Sequence, residues 1–276
     1  INAILLWILS IWRPKMIFSV SHIKSIFRFS AHMTGFSVLN YLCGNIDYLL
    51  IGKFLGTEML GFYTLAYRLM VVPLQNISWV ISKVLFPAFS KIQDDYSKTR
   101  DAFIKVTKAI ALVTFPMLAM ILIIAPELVQ LVFGLKWVPA IPVIQILCIC
   151  GTIRSVLPAL GEVRKAQGKT GLHLIISIGN LIFVSSAILL GIPKGIVAVA
   201  ASYTIAFWLW SYVELYLTTR SIPFVKPSEF YSAFLLLMTG GVFMTSMTLF
   251  AMKFIMVNSP LVTLIIKVLL SVALYG

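Results

Sequence analysis

Runs of about twenty apolar residues, bounded by charge or by glycine and proline, recur along this chain and constrain it more than any motif does. Between Lys108 and Gly134 the sequence reads AIALVTFPMLAMILIIAPELVQLVF, with Glu127 its one charge. A helix of that length rises about 37 Å, enough to cross the ~30 Å hydrocarbon core of a bilayer. The runs are continuous and do not alternate, so they are helices, the open-ended structure whose backbone hydrogen bonds close within the segment. Comparable runs cover about 31–55, 61–83, 138–160, 171–190, 195–217, 230–252 and 260–276. With 60% hydrophobic and 11% charged residues and a mean hydropathy of +1.01, an ordinary soluble domain is excluded. The predicted fold class is all-α, a polytopic membrane helix bundle.

The formal net charge of +13 would suggest nucleic acid in a soluble protein. Here Lys and Arg crowd alternate loops, around Arg13–Arg28, Lys91–Lys108, Arg164–Lys169 and Arg220–Lys226, while the intervening turns hold little beyond Lys53, Lys136, Lys194 and Lys253. That alternation is the positive-inside signal of a multi-pass protein, so the charge reports orientation and membrane-lipid surroundings, and no nucleic acid is read from it. The organisation predicted is the end of a transmembrane helix at 1–12 and a cytoplasmic, interfacial linker at 13–30, with Ile23, Ile26 and Phe27 on one face. A six-helix bundle comes next at 31–217, then a linker with two further helices at 218–276. Opening on Ile1 with half a span and closing on a run that stops short, the sequence reads as a fragment of a longer chain.

Several groups contradict a purely structural role for these helices. Met33, Ser37, Asn40, Gly44 and Asp47 recur at steps of three and four, forming a small, polar stripe. Arg68, Val72, Gln75 and Trp79 repeat the spacing on the next span, with Pro73 among them as a bend point. A charge at the centre of a membrane helix costs roughly 2.5–3.5 kcal/mol even on the lenient insertion scale, so Asp47 and Arg68 should face protein or water, while Arg154 either faces a cavity or snorkels towards basic Arg164, Lys165 and Lys169. Asp47 either exchanges a proton or sodium ion or pairs with Arg68. Glu127 reads as reaching the outer interface, and Glu214, among Trp208, Trp210, Tyr212 and Tyr216, as part of an interfacial belt. Cys43, Cys148 and Cys150 lie in apolar runs with no histidine or acid nearby, which predicts buried, reduced thiols and no metal site.

Two blocks are more specific than hydrophobicity. The first runs from NIDYLLIGKFLG through LGFYTLAYRL to VLFPAFSKIQDD, and the second, Val132–Val156, is VFGLKWVPAIPVIQILCICGTIRSV. They resemble the polysaccharide transporter family, especially its colanic-acid-exporter and O-antigen-flippase-like members, within the superfamily that also holds multidrug efflux transporters. The resemblance covers most of Phe29 to Arg220. It implies two helical lobes facing each other across a cavity, of which this chain would be the second, with additional C-terminal helices and most of the first lobe lacking. It further implies transport of lipid-linked oligosaccharide, of the undecaprenyl-pyrophosphate type, across the bacterial inner membrane for exopolysaccharide, capsule or O-antigen synthesis, beside polysaccharide polymerase and export machinery.

No phosphate-cradling glycine loop, His-Glu-x-x-His or carboxylate pair at useful spacing is present, so neither catalytic residues nor cofactors are expected. If Arg68, Arg154 and Lys83 face one cavity, they attract an anionic group, and arginine holds phosphate oxygens through paired hydrogen bonds. Asn40, Gln75 and Asn76 would then meet sugar hydroxyls, with Asp47 coupling transport to an ion gradient. The rival readings are a multidrug-type cation-coupled efflux transporter, a membrane enzyme of glycan assembly, and a non-transporting scaffold.

Overall fold

A computed structural model describes the backbone of Val20–Phe254 and Ser259–Tyr275, and side chains from Tyr41 onward except those at 43, 233, 236, 252–258, 272 and 274–276. The predicted helix end at 1–12, the start of the linker and the Asn40 side chain lie outside the described residues. Residues 20–30 of the linker are helical. The chain divides into two compact units, Ile1–Leu42 and Cys43–Gly276, and the second holds the packed core.

Every described element is a helix. Helix α1 is Val20–Pro73, α2 Trp79–Lys91, α3 Tyr96–Leu128, α4 Ile141–Ala166, α5 Thr170–Gly191, α6 Ile196–Ser221, α7 Pro227–Phe254 and α8 Pro260–Tyr275. Six helical stretches among the described residues are long and apolar enough to cross a membrane. The stretch through α1 crosses more than once. Residues sixteen apart in a straight helix lie about 24 Å from each other, yet the Tyr63 hydroxyl is 3.0 Å from the Asp47 carboxylate.

One residue makes that reversal. Sequence reading spreads the turn over Gly56 to Gly61, whereas only Gly56 leaves helical geometry, at φ 84° and ψ 176°. Gly134 (φ 87°, ψ 170°) and Gly195 (φ 90°, ψ −179°) repeat the same backbone state at the next two turns on the charge-poor side. This region of backbone space is essentially closed to residues with a Cβ. A Cβ at Gly134 would meet no atom within 4 Å, so any penalty there is conformational. Gly134→Ala is therefore expected to lower stability by about 1–3 kcal/mol, read as an earlier thermal unfolding midpoint of the purified protein in detergent.

Proline and charge shape the remaining ends. The bend expected at Pro73 is a wide, π-type turn over Leu74–Ser78, where the Asn76 amide donates to the Val72 carbonyl at 2.8 Å. On the basic side, Asp95 caps α3 by accepting from the Lys98 backbone N–H at 3.0 Å, and that bond, then the Lys98 side chain, holds its carboxyl below the ordinary range. Beside it the Gln167 amide donates to the Gln93 carbonyl, and Arg100 forks onto Glu229 at 2.8 and 3.1 Å, tying the start of α3 to the start of α7.

The core forms two apolar clusters. One gathers Ile51, Phe62, Met70, Val143, Leu147, Ile188 and Val199, the other Phe89, Phe103, Phe115, Val156, Leu160, Leu215 and Phe234. Along α4 the first ends at Cys150 and the second begins at Ile153. Between them α4 approaches its neighbours so closely that a Cβ on Gly151 would lie 2.9 Å from Met70 and Leu118. At this level polar groups take over. Thr114 donates to Ser155 at 3.0 Å, and Arg154 stands one residue before it. Cys148 and Cys150 are buried and reduced, as expected.

Candidate functional site

The polar layer is built from α1, α4, α5 and α6. Asp47 on the first arm of α1 is buried, accepting from the Tyr63 hydroxyl and from the Tyr48 backbone N–H, each at 3.0 Å. Tyr63 and Tyr67 sit on the returning arm at a spacing of four, hence on one face, and both pack against Tyr48, with ring centroids 5.8 and 5.4 Å away. From α4, the half-buried Arg154 enters this aromatic wall. Its guanidinium lies 5.2 Å from the Tyr67 ring centre, 6.0 Å from that of Tyr203 and 5.0 Å from that of Phe207, and it hydrogen-bonds the Tyr203 hydroxyl. Cation–π contact of this kind holds a charge away from bulk water while leaving some of its donors free.

Asp47, Arg154, Tyr67, Tyr203 and Asn180 line one cavity of about 190 Å³. At 1.5 Å per residue, Asp47 and Arg68 lie about 14 and 18 Å along their helix arms from Gly56, and Arg154 about 20 Å from the start of α4, well inside helices long enough to cross a bilayer. On its other side Arg154 borders a second cavity of about 310 Å³, whose wall includes Trp79, Glu162, Arg164, Lys165, His173 and Glu214. One guanidinium thus separates a space towards the charge-poor side from one towards the basic side.

The predicted site residues fall into two groups. Asp47 and Arg154 share the buried cavity. Arg68, Gln75, Asn76 and Lys83 are exposed instead, along the face of α1 and α2 that also carries Val72 and Trp79. The anticipated pairing of Asp47 with Arg68 does not form, because Asp47 points into the aromatic cluster while Arg68 points out of it.

Two ion pairs, Arg164–Glu214 and Glu127–Lys267, have roles that the sequence did not disclose. Arg164, counted among the basic loop residues, is 2% exposed and pairs with Glu214 at 2.7 Å, while also donating to Thr218 and contacting His173 Nδ1. Glu214 is correspondingly buried and no part of a surface belt. Glu127, expected at the outer interface, bonds Lys267 of α8 at 2.7 Å. The tyrosine wall was also missed, although Tyr63 and Tyr67 at helical spacing beside Arg68 carried a readable signal.

Asp47, Tyr63, Tyr203 and Arg154 set an Asp–Tyr–Arg cluster inside a bundle of helices long and apolar enough to cross a membrane. The sequence profile of a family described as polysaccharide biosynthesis protein matches residues 1–142, just over half of the 276 residues, and the chain belongs to that family. The lipopolysaccharide biosynthesis protein WzxC of Escherichia coli (strain K12) is 36% identical over 199 residues, 72% of this chain and 40% of its own length. The teichuronic acid biosynthesis protein TuaB of Bacillus subtilis (strain 168) is 31% identical over 226 residues, 78% of this chain and 47% of its own length. The chain therefore spans less than half of either relative. Among solved structures, the lipid II flippase MurJ in its inward closed conformation matches 97% of this chain and 56% of its own at a TM-score of 0.71 and 16% identity, so the two share a fold.

Proposed function

We propose that this chain forms one lobe of a flippase that carries lipid-linked oligosaccharide across the bacterial inner membrane by ion-coupled alternating access. The observation that carries the reading is Arg154, held within a span by aromatic rings and lining two cavities. A guanidinium so placed offers paired donors to phosphate oxygens, the group that links a lipid carrier to sugar. Arg68, Gln75, Asn76 and Lys83 form a second polar surface. Charged residues within spans face protein or water, so this stripe borders the transport path and meets the sugar and phosphate there, while the lipid tail stays in the bilayer. Asp47 is the coupling carboxylate, sharing the Arg154 cavity so that ion binding and substrate binding compete for one electrostatic environment. The names of the relatives, lipopolysaccharide and teichuronic acid biosynthesis, support a glycan cargo.

The test is glycan export in a flippase-deficient strain complemented with the complete coding region, at matched membrane levels. Arg154→Ala is expected to reduce export about tenfold to a hundredfold, the loss of one charge-assisted contact of ~1.5–3 kcal/mol, with lipid-linked units accumulating in the cytoplasmic leaflet. Asp47→Asn should export only weakly and lose its response to the ion gradient. Normal export by Arg154→Ala would defeat the site assignment, and export of cationic drugs in place of glycan would favour the multidrug-type alternative.

A further inference from the structure

A groove of about 890 Å³ that shares no lining residue with the Arg154 cavities lies on the basic side, where α6 ends, α7 begins and α3 starts. Its wall carries Arg100, Arg220 and Lys226 against one carboxylate, Glu229. Arg100 already grips Glu229 through two hydrogen bonds, which leaves Arg220 and Lys226 exposed and in no ion pair among the described residues. Tyr96 and Tyr216, also of the groove wall, are about half exposed, at 47% and 55%. The adjoining Phe224 and Val225 are buried at its base. Exposed tyrosine beside unpaired cations, over an apolar base where two spans leave the membrane, is complementary to an amphiphile with an anionic head.

We infer that this groove binds an acidic phospholipid of the cytoplasmic leaflet, with Arg220 and Lys226 on the headgroup phosphate, Tyr96 and Tyr216 at the glycerol level, and the upper acyl chain along Phe224 and Val225. A headgroup bound there would bridge α3, α6 and α7. It would set how firmly α7 is held to the bundle.

The test places the purified protein in nanodiscs containing either phosphatidylcholine alone or phosphatidylcholine with phosphatidylglycerol, and tracks bound lipid by native mass spectrometry and with a photo-crosslinkable phosphatidylglycerol. One phosphatidylglycerol should be retained, with crosslinks mapping to Tyr96, Tyr216 or Pro223. Arg220→Gln with Lys226→Gln should weaken retention about thirtyfold, equal to ~2 kcal/mol for two cations near an anionic headgroup. Lys136→Gln with Lys194→Gln, on the opposite side, should leave retention unchanged. Equal retention by wild type and the Arg220/Lys226 variant, crosslinks elsewhere, or displacement of the lipid by millimolar inorganic phosphate without crosslinks in the groove would each overturn the assignment. A variant that unfolds is replaced by Arg220→Lys with Lys226→Arg, which keeps the charge and should retain the lipid.

Discussion

Arg164→Met is expected to destabilise the protein by about 3–5 kcal/mol, the usual cost of breaking a buried ion pair by removing one partner. Arg164 and Glu214 are 2.7 Å apart with side chains 2% and 9% exposed, so neither charge can turn to water. The guanidinium also donates to Thr218 Oγ1 at 2.9 Å, and its other terminal nitrogen contacts His173 at 3.1 Å, so one side chain fastens α4 to both α5 and α6. Removing it leaves Glu214 as a nearly buried carboxylate without its cation. The penalty lies in that stranded charge more than in the lost attraction, because pulling both ions from water offsets most of what the pair gains. A double variant, Arg164→Met with Glu214→Leu, should therefore recover much of the loss. Unfolding midpoints in detergent for the two single variants and the double variant form the cycle that decides. If the double variant is as unstable as the sum of the singles, the charges contribute independently and the stranded-charge account fails.

The same pair shows where sequence reading stops. Long apolar runs and the glycine turns give the all-helical class and most of the helix boundaries, because each is a local pattern of spacing or composition. Partner choice is not local. Arg164 stands in the last turn of α4 beside Lys165, where a cation complements the helix dipole and resembles any solvated end. Glu214 sits among aromatic residues that resemble an interfacial belt. Nothing at a period of 3.6 says that these two, fifty positions apart in sequence, meet in the interior. Arg154 was flagged as a charge within a span, but its spacing left open whether it faces a cavity or reaches towards the basic side. The Tyr63 hydroxyl on Asp47 was not, because pairing those residues requires knowing that Gly56 folds α1 back on itself within a single residue. The stripe of Arg68, Gln75, Asn76 and Lys83 falls between these cases. Its spacing showed one face, while only the packed structure shows that face to be the exposed one.

Lys267→Met should release α8 from the bundle, again at about 3–5 kcal/mol, through a pair that depends on proline chemistry in its partner helix. Pro126 has no N–H, so the Leu122 carbonyl four residues earlier has no partner within α3. Gln145 of α4 fills that gap from outside, donating to Leu122 at 3.3 Å. One residue on, Lys267 donates to the Ile123 carbonyl at 3.2 Å while its ammonium reaches Glu127 Oε1 at 2.7 Å. The proline-bent turn thus exposes carbonyl groups that neighbouring helices take up, and a carboxylate four residues further on fixes the cation. The second oxygen of Glu127 has no hydrogen-bond partner, so removing Lys267 leaves that carboxylate with neither of its oxygens paired. Glu127→Gln with Lys267→Met should be milder than Lys267→Met alone, since the charge is gone while the amide still bonds weakly. Gln145→Leu, which strands one neutral carbonyl, is expected to cost about 1–3 kcal/mol. Hydrogen exchange separates these outcomes. With Lys267→Met the amides of α8 should exchange far faster while those of α4 stay protected, because α8 packs on α3 and α7 alone among the principal helix contacts. With Gln145→Leu the faster exchange should appear at the α3–α4 contact and leave α8 nearly as it was. Uniform acceleration across all helices in both variants would mean that the bundle opens as one unit and that the clamp has no local role.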